Sequence, residues 1–449
     1  MTSTVFSHHA LLSDGWASSV RITISHGSIS GIEKGAVSSE GDVVVDFLTP
    51  APGNLHSHAF QRAFSGLTER RGNPVDTFWT WREIMYRCAL TIQPDELEVV
   101  AAQLYMEMLE AGFTRVGEFH YLHHDTDGRP YGNLAEMAER LIGASVQAGI
   151  SMTMLPCFYA HGNFGGADPV AGQARFVNSL DSYASLIELT KNAISTVDGG
   201  EVGYAPHSLR AVSSEELAAV VGMGSGPIHM HVSEQMKEVS DCISWSGQRP
   251  IEWLMANADV DDRWCLIHAT HQTEEELAMV LKSGAVVGLC PLTEGNLGDG
   301  VFAGQTHIGK GGAFGIGSDS NIRISLAQEL SQLEYSQRLQ LQNRNVLAGG
   351  EGSTGENLFC RAVAGSGQAL NGSPALAIGN EASMISFNGK AAPWVNRGTL
   401  LDSWIFGMDQ GPDRVWARGK VVVAEGRHTD RDRISASFQK VMKTIVARF

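Results

Sequence analysis

This sequence has few cysteines, fewer basic than acidic residues and no long hydrophobic run. Its 33 lysines and arginines stand against 49 aspartates and glutamates, which gives a formal net charge of −16 at pH 7. This charge disfavours nucleic acid and anionic membranes as partners, because both select basic surfaces. The 6 cysteines are widely spaced without a Cys-x-x-Cys pair, which indicates reduced core residues rather than a disulfide framework.

No segment has the composition of a targeting or membrane-spanning element. The apolar runs are shorter than the roughly 18 residues that a membrane helix needs. The N-terminus also lacks a basic region followed by an apolar one. Hydrophobic residues make up 43% of the chain and charged residues 18%, so a large core is possible and wholesale disorder is not expected. We therefore expect an acidic globular protein of the cytoplasm.

The middle of the chain alternates short apolar runs with longer amphipathic segments. Eight such runs fall between residues 49 and 384, and several intervening segments begin with Ser, Thr, Asp or Asn and end in Gly, as capped helices do. Eight buried strands that alternate with helices predict an α/β fold, a (β/α)8 TIM barrel, over 49–384. A doubly wound open sheet is the alternative, although eight units exceed its usual count.

The two ends of the chain share a different pattern. Residues 1–48 and 385–430 contain short runs of alternating apolar and polar residues broken by Gly, Asn and Asp, which is typical of strands and turns. This shared pattern predicts one small β-sandwich domain formed from both termini. Residues 431–449 carry apolar residues at helical spacing and predict a C-terminal helix.

Polar motifs rich in histidine and acid follow four of the eight apolar runs. They are His56-Ser57-His58, His229-Met230-His231-Val232-Ser233-Glu234, His268-Ala269-Thr270-His271 and Ser318-Asp319-Ser320. A TIM barrel brings the carboxyl ends of its strands to one mouth, and residues i and i+2 of a strand point to the same side. Because convergent imidazoles and carboxylates are typical ligands of zinc, the pattern predicts a metal site at that mouth.

This constellation resembles the amidohydrolase superfamily over nearly the whole chain. The resemblance implies a TIM barrel, a β-sandwich from both termini and one zinc ion per subunit, with iron or manganese as alternatives. The implied ligands are His56, His58, His231 and Asp319. Members with two metals usually carry a bridging carboxylated lysine, or a carboxylate in its place, on the fourth strand. The nearest lysine here, Lys191, falls in a helix-like segment, which favours a single ion.

The resemblance also implies the catalytic residues. His231 and Glu234 form a His-x-x-Glu motif similar to that of the deaminase branch, in which the acid moves protons to the leaving nitrogen. Asp319 and His268 are implied to orient and deprotonate the attacking water. His229 and His271 match no essential position of the superfamily, so we expect them to be core residues or supports of the ligands.

Five further segments resemble the formimidoylglutamate deiminase family within this superfamily. They are HSHAFQRAFSGL (56–67), DTFWTWREIMY (76–86), GEFHYLHH (117–124), APHSLRAV (205–212) and CPLTEGNLGDGVF (290–302). The resemblance implies hydrolysis of N-formimino-L-glutamate to N-formyl-L-glutamate and ammonia in histidine degradation. It also implies a homodimer and a small dicarboxylate substrate as partner. The net charge of −16 gives no reason to expect nucleic acid or membrane as a further partner.

The implied substrate carries two carboxylates, so it needs cationic or hydroxyl donors. The resemblance implies the substrate-binding residues Gln61, Arg82, Tyr121, His207 and Arg210. A single arginine is more often a surface residue or part of a structural ion pair, but both of these arginines lie in segments adjacent to the proposed mouth. Residues 60–90 and 291–312 are long connections and are candidates for lids over the mouth.

Two other functions stay open from the sequence alone. One is a zinc deaminase of an aromatic base or nucleoside, similar to guanine deaminase. Such an enzyme would need aromatic side chains that stack on the base and would have little use for two arginines. The other is a non-catalytic barrel that serves as a scaffold. Such scaffolds usually lose metal ligands, whereas every expected ligand type is present here.

Overall fold

The structure is a computed structural model that describes residues 2–71, 76–390 and 392–448. Its strands are β1 (Thr2–Leu12), β2 (Gly15–Ser25), β3 (Ser28–Lys34), β4 (Val43–Pro50), β5 (Gly53–Ser57), β6 (Arg115–His120), β7 (Ser151–Phe158), β8 (Glu201–Val202), β9 (Ala205–Pro206), β10 (Ile228–Val232), β11 (Trp264–His268), β12 (Val286–Leu289), β13 (Phe314–Ile316), β14 (Met384–Phe387), β15 (Arg414–Ala417), β16 (Lys420–Ala424) and β17 (Arg427–His428).

The helices alternate with the strands through the middle of the chain. They are α1 (Phe78–Ala89), α2 (Pro94–Glu110), α3 (Glu136–Ala148), α4 (Leu180–Ile194), α5 (Ser214–Val221), α6 (Met236–Ser246), α7 (Pro250–Asn257), α8 (Glu274–Ser283), α9 (Pro291–Leu297), α10 (Gly304–Gly309), α11 (Leu326–Leu341), α12 (Thr354–Ala369), α13 (Leu400–Phe406) and α14 (Arg431–Val446), with 3-10 helices at Ala59–Phe64 and Ala171–Gln173. Within the described ranges, none of these helices has the length and apolar composition to cross a membrane.

Strands β5 to β13 form a closed parallel barrel. One half pairs in the order β5-β6-β7-β8, with β9 also on β7, and the other half pairs in the order β10-β11-β12-β13. Parallel bridges from Tyr204 to Ile228 and from Ser57 to Asp319 join the two halves. With β8 and β9 counted as one interrupted strand, eight strands surround the axis, so the predicted TIM barrel is confirmed. The second bridge involves a predicted metal ligand, which places the site at the seam where the barrel closes.

Strands from both ends of the chain form a second sheet beside the barrel. Its order is β17-β16-β15-β14-β4-β1-β2-β3, with β4 parallel to β1 and antiparallel to β14. This confirms a β-rich domain built from both termini. Only Ala51 and Pro52 separate β4 from β5, so the sheet leads directly into the first barrel strand and fixes its start.

Two glycines inside the barrel are explained by close packing. Leu55, on β5, is fully buried against β12 and β13. A Cβ atom at Gly288 would lie 2.9 Å from Leu55 Cδ1, and one at Gly315 would lie 2.3 Å from Leu55 Cδ2. Interiors are close-packed, so a larger side chain at either position would displace the leucine beside the site.

Candidate active site

Three imidazoles and one carboxylate meet at the carboxyl ends of β5, β10 and β13. His56 Nε2 lies 3.2 Å from His58 Nε2 and 3.0 Å from His231 Nε2. Asp319 Oδ1 lies 3.5 Å from His56 Nε2 and 3.3 Å from His58 Nε2. All four side chains are buried, and one ligand atom from each falls within 4.8 Å of the others. The structure therefore brings together all four residues that the sequence predicts as metal ligands.

The protonation of this cluster suits a bound cation. His58 Nδ1 donates to the carbonyl of Phe119 at 2.9 Å, and His231 Nδ1 donates to the carbonyl of His207 at 3.0 Å. Each donation leaves the Nε2 lone pair directed at the shared centre. Burial lowers the pKa of His56, His58 and His231, so the rings are held neutral. Lone pairs and a carboxylate that face one point fit a divalent ion with nitrogen and oxygen ligands, such as zinc.

Backbone contacts between β5 and the turn after β13 hold Asp319 against the histidines. The amides of Ser318 and Asp319 donate to the carbonyl of His56 at 3.0 and 2.9 Å, and the amide of His58 donates to the carbonyl of Asp319 at 3.1 Å. Asp319 has a φ of 44°, in the left-handed region that few residues other than glycine adopt. The surrounding hydrogen bonds maintain this conformation, which is a frequent feature of functional sites.

Gly317 permits the close approach of β13 to His56. A Cβ atom there would lie 2.7 Å from His56 Cβ and 3.0 Å from both the His56 carbonyl oxygen and Cys290 Sγ. We expect Gly317→Ala to shift His56, to lower the free energy of unfolding by about 1–3 kcal/mol and to weaken metal retention. Thermal unfolding and metal analysis check this.

Gly309→Ala is the matched control, because a Cβ atom there meets nothing within 4 Å. Unaltered stability and metal retention in Gly317→Ala would contradict the requirement for glycine at this approach.

His268 and Glu234 stand beside the cluster. His268 Nε2 lies 3.8 Å from both Glu234 Oε1 and Asp319 Oδ2, and His268 Nδ1 lies 3.3 Å from Glu294 Oε1. Burial alone lowers the pKa of His268, but these three carboxylates outweigh it and raise the pKa to about 10. In the absence of a bound ion, this raised pKa favours a protonated His268 ring that donates from both nitrogens. A protonated ring can orient the attacking water, but it is less suited to accept a proton from it.

The position of Glu234 is set by a second, buried glutamate. Glu238 accepts the amide protons of Ser233 and Glu234, each at 3.1 Å, and so fixes the turn that follows β10. Burial raises the pKa of Glu234 to about 7, which is a value that suits proton transfer near neutral pH. Neither Glu238 nor Glu294 stands out in the sequence as a residue of the site. Their positions in the first turns of α6 and α9 are common for any glutamate.

A cavity opens beside these groups. Its lining contains the five predicted substrate-binding residues together with His58, His231, Glu234, His268 and Asp319. The rest of the lining consists of Phe78, Trp81, Met85, Tyr86, Tyr159, Phe176 and Leu297. Helix α1, from the predicted lid 60–90, supplies one wall, and Leu297, from the predicted lid 291–312, adds to it. Residues 72–75 of the first lid lie outside the described residues.

Two arginines of the cavity wall lack an ion-pair contact among the described residues. Neither Arg82 nor Arg210 makes an ion pair with any residue that the structure describes. Arg82 stacks over Trp79, with its guanidinium carbon 4.5 Å from the ring centroid, while Arg210 Nε is buried without a hydrogen-bond acceptor in the described ranges. Guanidinium groups that line a cavity without an ion-pair partner favour a bound anion, so this wall of the cavity fits carboxylates.

The other three predicted contacts are neutral polar groups. Gln61 Nε2 donates to the Tyr121 hydroxyl at 2.9 Å, and Gln61 Oε1 is buried with no partner in the part of the chain described. His207 Nδ1 is 2.9 Å from Ser208 Oγ, and its ring centroid lies 4.9 Å from that of His231. These groups border the metal-ligand cluster, so they can orient a substrate toward it.

Four other histidines of the barrel donate to backbone carbonyls. His123 binds Cys157, His124 binds Val177, His229 binds Ala369 and His271 binds Asp299, with distances between 2.7 and 2.8 Å. Lys191 lies on α4 and pairs with Glu188, so it contributes nothing to the cluster. These side chains connect elements of the barrel and lie outside the cavity lining.

Comparison with known proteins agrees with this geometry. Residues 47–422 match the model of the amidohydrolase family, and the chain belongs to that family. Residues 2–44 match the model described as the N-terminal domain of formimidoylglutamate deiminase HutF. The chain is 44% identical to the formimidoylglutamate deiminase of Pseudomonas aeruginosa, over 98% of this chain and 99% of that one.

Solved structures show the same fold. A crystal structure of an amidohydrolase from Brucella melitensis matches with a TM-score of 0.97 and 49% identity, over 99% of this chain and 100% of that one. A zinc-bound adenosine deaminase from Xanthomonas campestris matches with a TM-score of 0.80 and 17% identity, over 99% and 98% of the two chains. At 17% identity, the match to the adenosine deaminase shows a shared fold and nothing further.

Proposed function

We propose that this protein is a formimidoylglutamate deiminase, which hydrolyses N-formimino-L-glutamate to N-formyl-L-glutamate and ammonia in histidine degradation. The observation that carries the proposal is a single cavity that combines a cluster of metal ligands with two unpaired arginines, Arg82 and Arg210. The substrate has two carboxylates, which match the arginines, and a hydrolysable formimino group, which matches the metal-ligand cluster. The similarity to the Pseudomonas aeruginosa enzyme over the full chain supports this choice.

We propose one zinc ion per subunit, held by His56, His58, His231 and Asp319, with iron or manganese as alternatives. When bound, such an ion lowers the pKa of a water ligand toward about 7 and so supplies a nucleophile near neutral pH. A second cluster of donor atoms, made by His268, Cys290 and Glu294, is a poor ligand set. Burial raises the pKa of the Cys290 thiol and holds it protonated, which supports a single ion.

The residues of the chain can perform the proton transfers of this hydrolysis. Water oxygen bonds to the formimino carbon and the C=N double bond becomes single. The remaining C–N bond then breaks as the C=O bond of the formyl group forms, and the nitrogen leaves as ammonia. Glu234 accepts the two protons of the water in turn and delivers both to the departing nitrogen, for which its raised pKa is suited. His268 lies between Glu234 and Asp319 and holds the water in line through hydrogen bonds.

Ammonia release tests the proposed substrate. Formiminoglutamate, guanine and adenosine are offered separately to the purified protein at equal concentration, and ammonia is measured with time. We expect release from formiminoglutamate together with formation of N-formyl-L-glutamate. Release from a purine alone would favour the aromatic-base deaminase, and no release from any of the three by the metal-loaded protein would favour the scaffold.

Removal of either unpaired arginine is expected to weaken substrate binding. In Arg82→Met or Arg210→Met, loss of a charge-assisted contact should raise KM and lower kcat/KM for formiminoglutamate by about tenfold or more. Steady-state kinetics check this. Arg129→Met, a change at an exposed arginine on the surface, is the control and should leave both constants unaltered. Unaltered kinetics in both cavity variants would contradict the carboxylate assignment.

The oligomeric state and the location in the cell remain predictions. We propose a homodimer in the cytoplasm, as expected from the sequence. Light scattering on the purified protein should give twice the mass of the chain, 48.3 kDa. A mass equal to that of one chain would contradict the homodimer.

A further inference from the structure

The hydroxyl of Tyr159 is a polar group of the cavity wall that the proposed reaction does not use. Tyr159 directly follows β7, at the same end of the barrel as the metal-ligand cluster. Its ring packs between His207, with centroids 4.7 Å apart, and Phe176, with centroids 5.8 Å apart. The residue is only 6% exposed, so its ring has a fixed position.

Gln173 determines where the hydroxyl proton can point. Gln173 Oε1 accepts the amide proton of Val170 at 2.8 Å, so Gln173 Nε2 is the end that faces Tyr159, at 2.7 Å. An amide nitrogen only donates, and therefore the Tyr159 oxygen is the acceptor. The proton of Tyr159 must point elsewhere, and the described ranges offer no acceptor for it. A buried donor without an acceptor is costly, unless a ligand supplies one.

The two unpaired arginines act on the same hydroxyl. Burial raises the pKa of Tyr159, whereas the charges of Arg210 and Arg82 lower it, with Arg210 the stronger of the two. The net shift is upward, so the hydroxyl keeps its proton and can act as a donor. A carboxylate has two oxygens, and a guanidinium group and a hydroxyl on adjacent parts of the wall can each bind one.

We propose that Tyr159 is a further substrate-binding residue, which donates a hydrogen bond to the substrate carboxylate that Arg210 binds. The inference rests on the proposed function. In this arrangement Gln173 is a positioning residue, because it acts only by directing the proton of Tyr159 into the cavity. The hydroxyl adds to affinity and also favours a planar anion over a neutral group at this place.

The test is Tyr159→Phe, which keeps the ring packing and removes only the hydroxyl. Because the hydrogen bond to the carboxylate is present in both the ground and the transition state, KM for formiminoglutamate should rise about tenfold while kcat changes less than about twofold. The product N-formyl-L-glutamate keeps both carboxylates, so its inhibition constant should rise by a similar factor. Melting temperature is measured alongside to separate binding from stability.

Tyr183→Phe is the matched control. Tyr183 is fully buried, its hydroxyl donates to the carbonyl of Pro156 at 2.8 Å, and it lies outside the cavity lining. KM should be unaltered in this variant. A double-mutant cycle with Arg210→Met adds a second readout: the effect of Tyr159→Phe should shrink to about twofold in that background, since contacts to one carboxylate are coupled.

An unaltered KM in Tyr159→Phe, or full additivity with Arg210→Met, would overturn the assignment of Tyr159. So would a fall in kcat at constant KM. These outcomes differ from failure of the proposed function, in which the unaltered, metal-loaded protein releases no ammonia from formiminoglutamate. That result would remove the inference together with the function on which it rests.

Discussion

Glu234→Gln is expected to lower kcat for formiminoglutamate by about 10²–10⁴-fold while metal content per chain stays the same. The reason is that the amide keeps the shape of the side chain but cannot carry a proton from the water to the leaving nitrogen. Glu234 also lies next to the metal-ligand cluster without belonging to it, so the ligands remain in place. Steady-state kinetics and metal analysis on the same preparation give both quantities.

Glu274→Gln is the control for this change, because Glu274 lies exposed in the first turn of α8. Its turnover and metal content should equal those of the unaltered protein. If Glu234→Gln retained full turnover, the role of Glu234 in proton transfer would be wrong. If it lost metal along with turnover, the glutamate would have to be counted among the ligands instead.

His231→Gln is expected to remove both the metal and the activity. The substitution replaces an Nε2 lone pair that faces His56 Nε2 at 3.0 Å with a group of different reach and geometry. Since a bound ion contributes several kcal/mol to the transition state, turnover should fall by about 10³-fold or more. Metal content should fall well below one ion per chain, which is a readout independent of activity.

The same substitution two residues earlier provides a close comparison. His229 lies on the same strand and is fully buried, but its Nε2 donates to the carbonyl of Ala369 at 2.8 Å. In His229→Gln the amide can make a similar donation, so metal content and kcat should be retained. Equal metal loss in both variants would show that general disruption of β10, rather than loss of a ligand, explains the effect.

The metal ligands could be predicted because strand geometry is local and periodic. His56 lies on β5 and His58 directly follows it, and His231 and Asp319 lie at or just after the carboxyl ends of β10 and β13, so barrel geometry brings all four to one mouth. The resemblance to the amidohydrolase superfamily singled them out as ligands among the polar residues found there. The barrel and the β-rich domain from both termini follow from the same patterns. The domain boundaries at residues 48, 384 and 430 remain predictions.

The supports of the site could not be predicted in the same way. Glu238 and Glu294 support the site through hydrogen bonds that form only in the folded chain, to a backbone amide and to the His268 ring respectively. The sequence contains many other glutamates in comparable helical positions. Position 317 needs glycine because a Cβ atom there would collide with His56, and these two residues are far apart in the sequence. Tyr159, by contrast, directly follows β7, so a search for polar side chains at the carboxyl ends of the barrel strands could have found it.

Zinc titration of the metal-free protein is the most direct test of whether one bound zinc ion per chain supports hydrolysis of formiminoglutamate. Ammonia release from formiminoglutamate is measured after addition of increasing amounts of zinc per chain. We expect no turnover without metal, a linear rise, and a plateau at one equivalent. Full turnover of the metal-free protein, or a plateau only at two equivalents, would contradict a deiminase that works with a single ion held by His56, His58, His231 and Asp319.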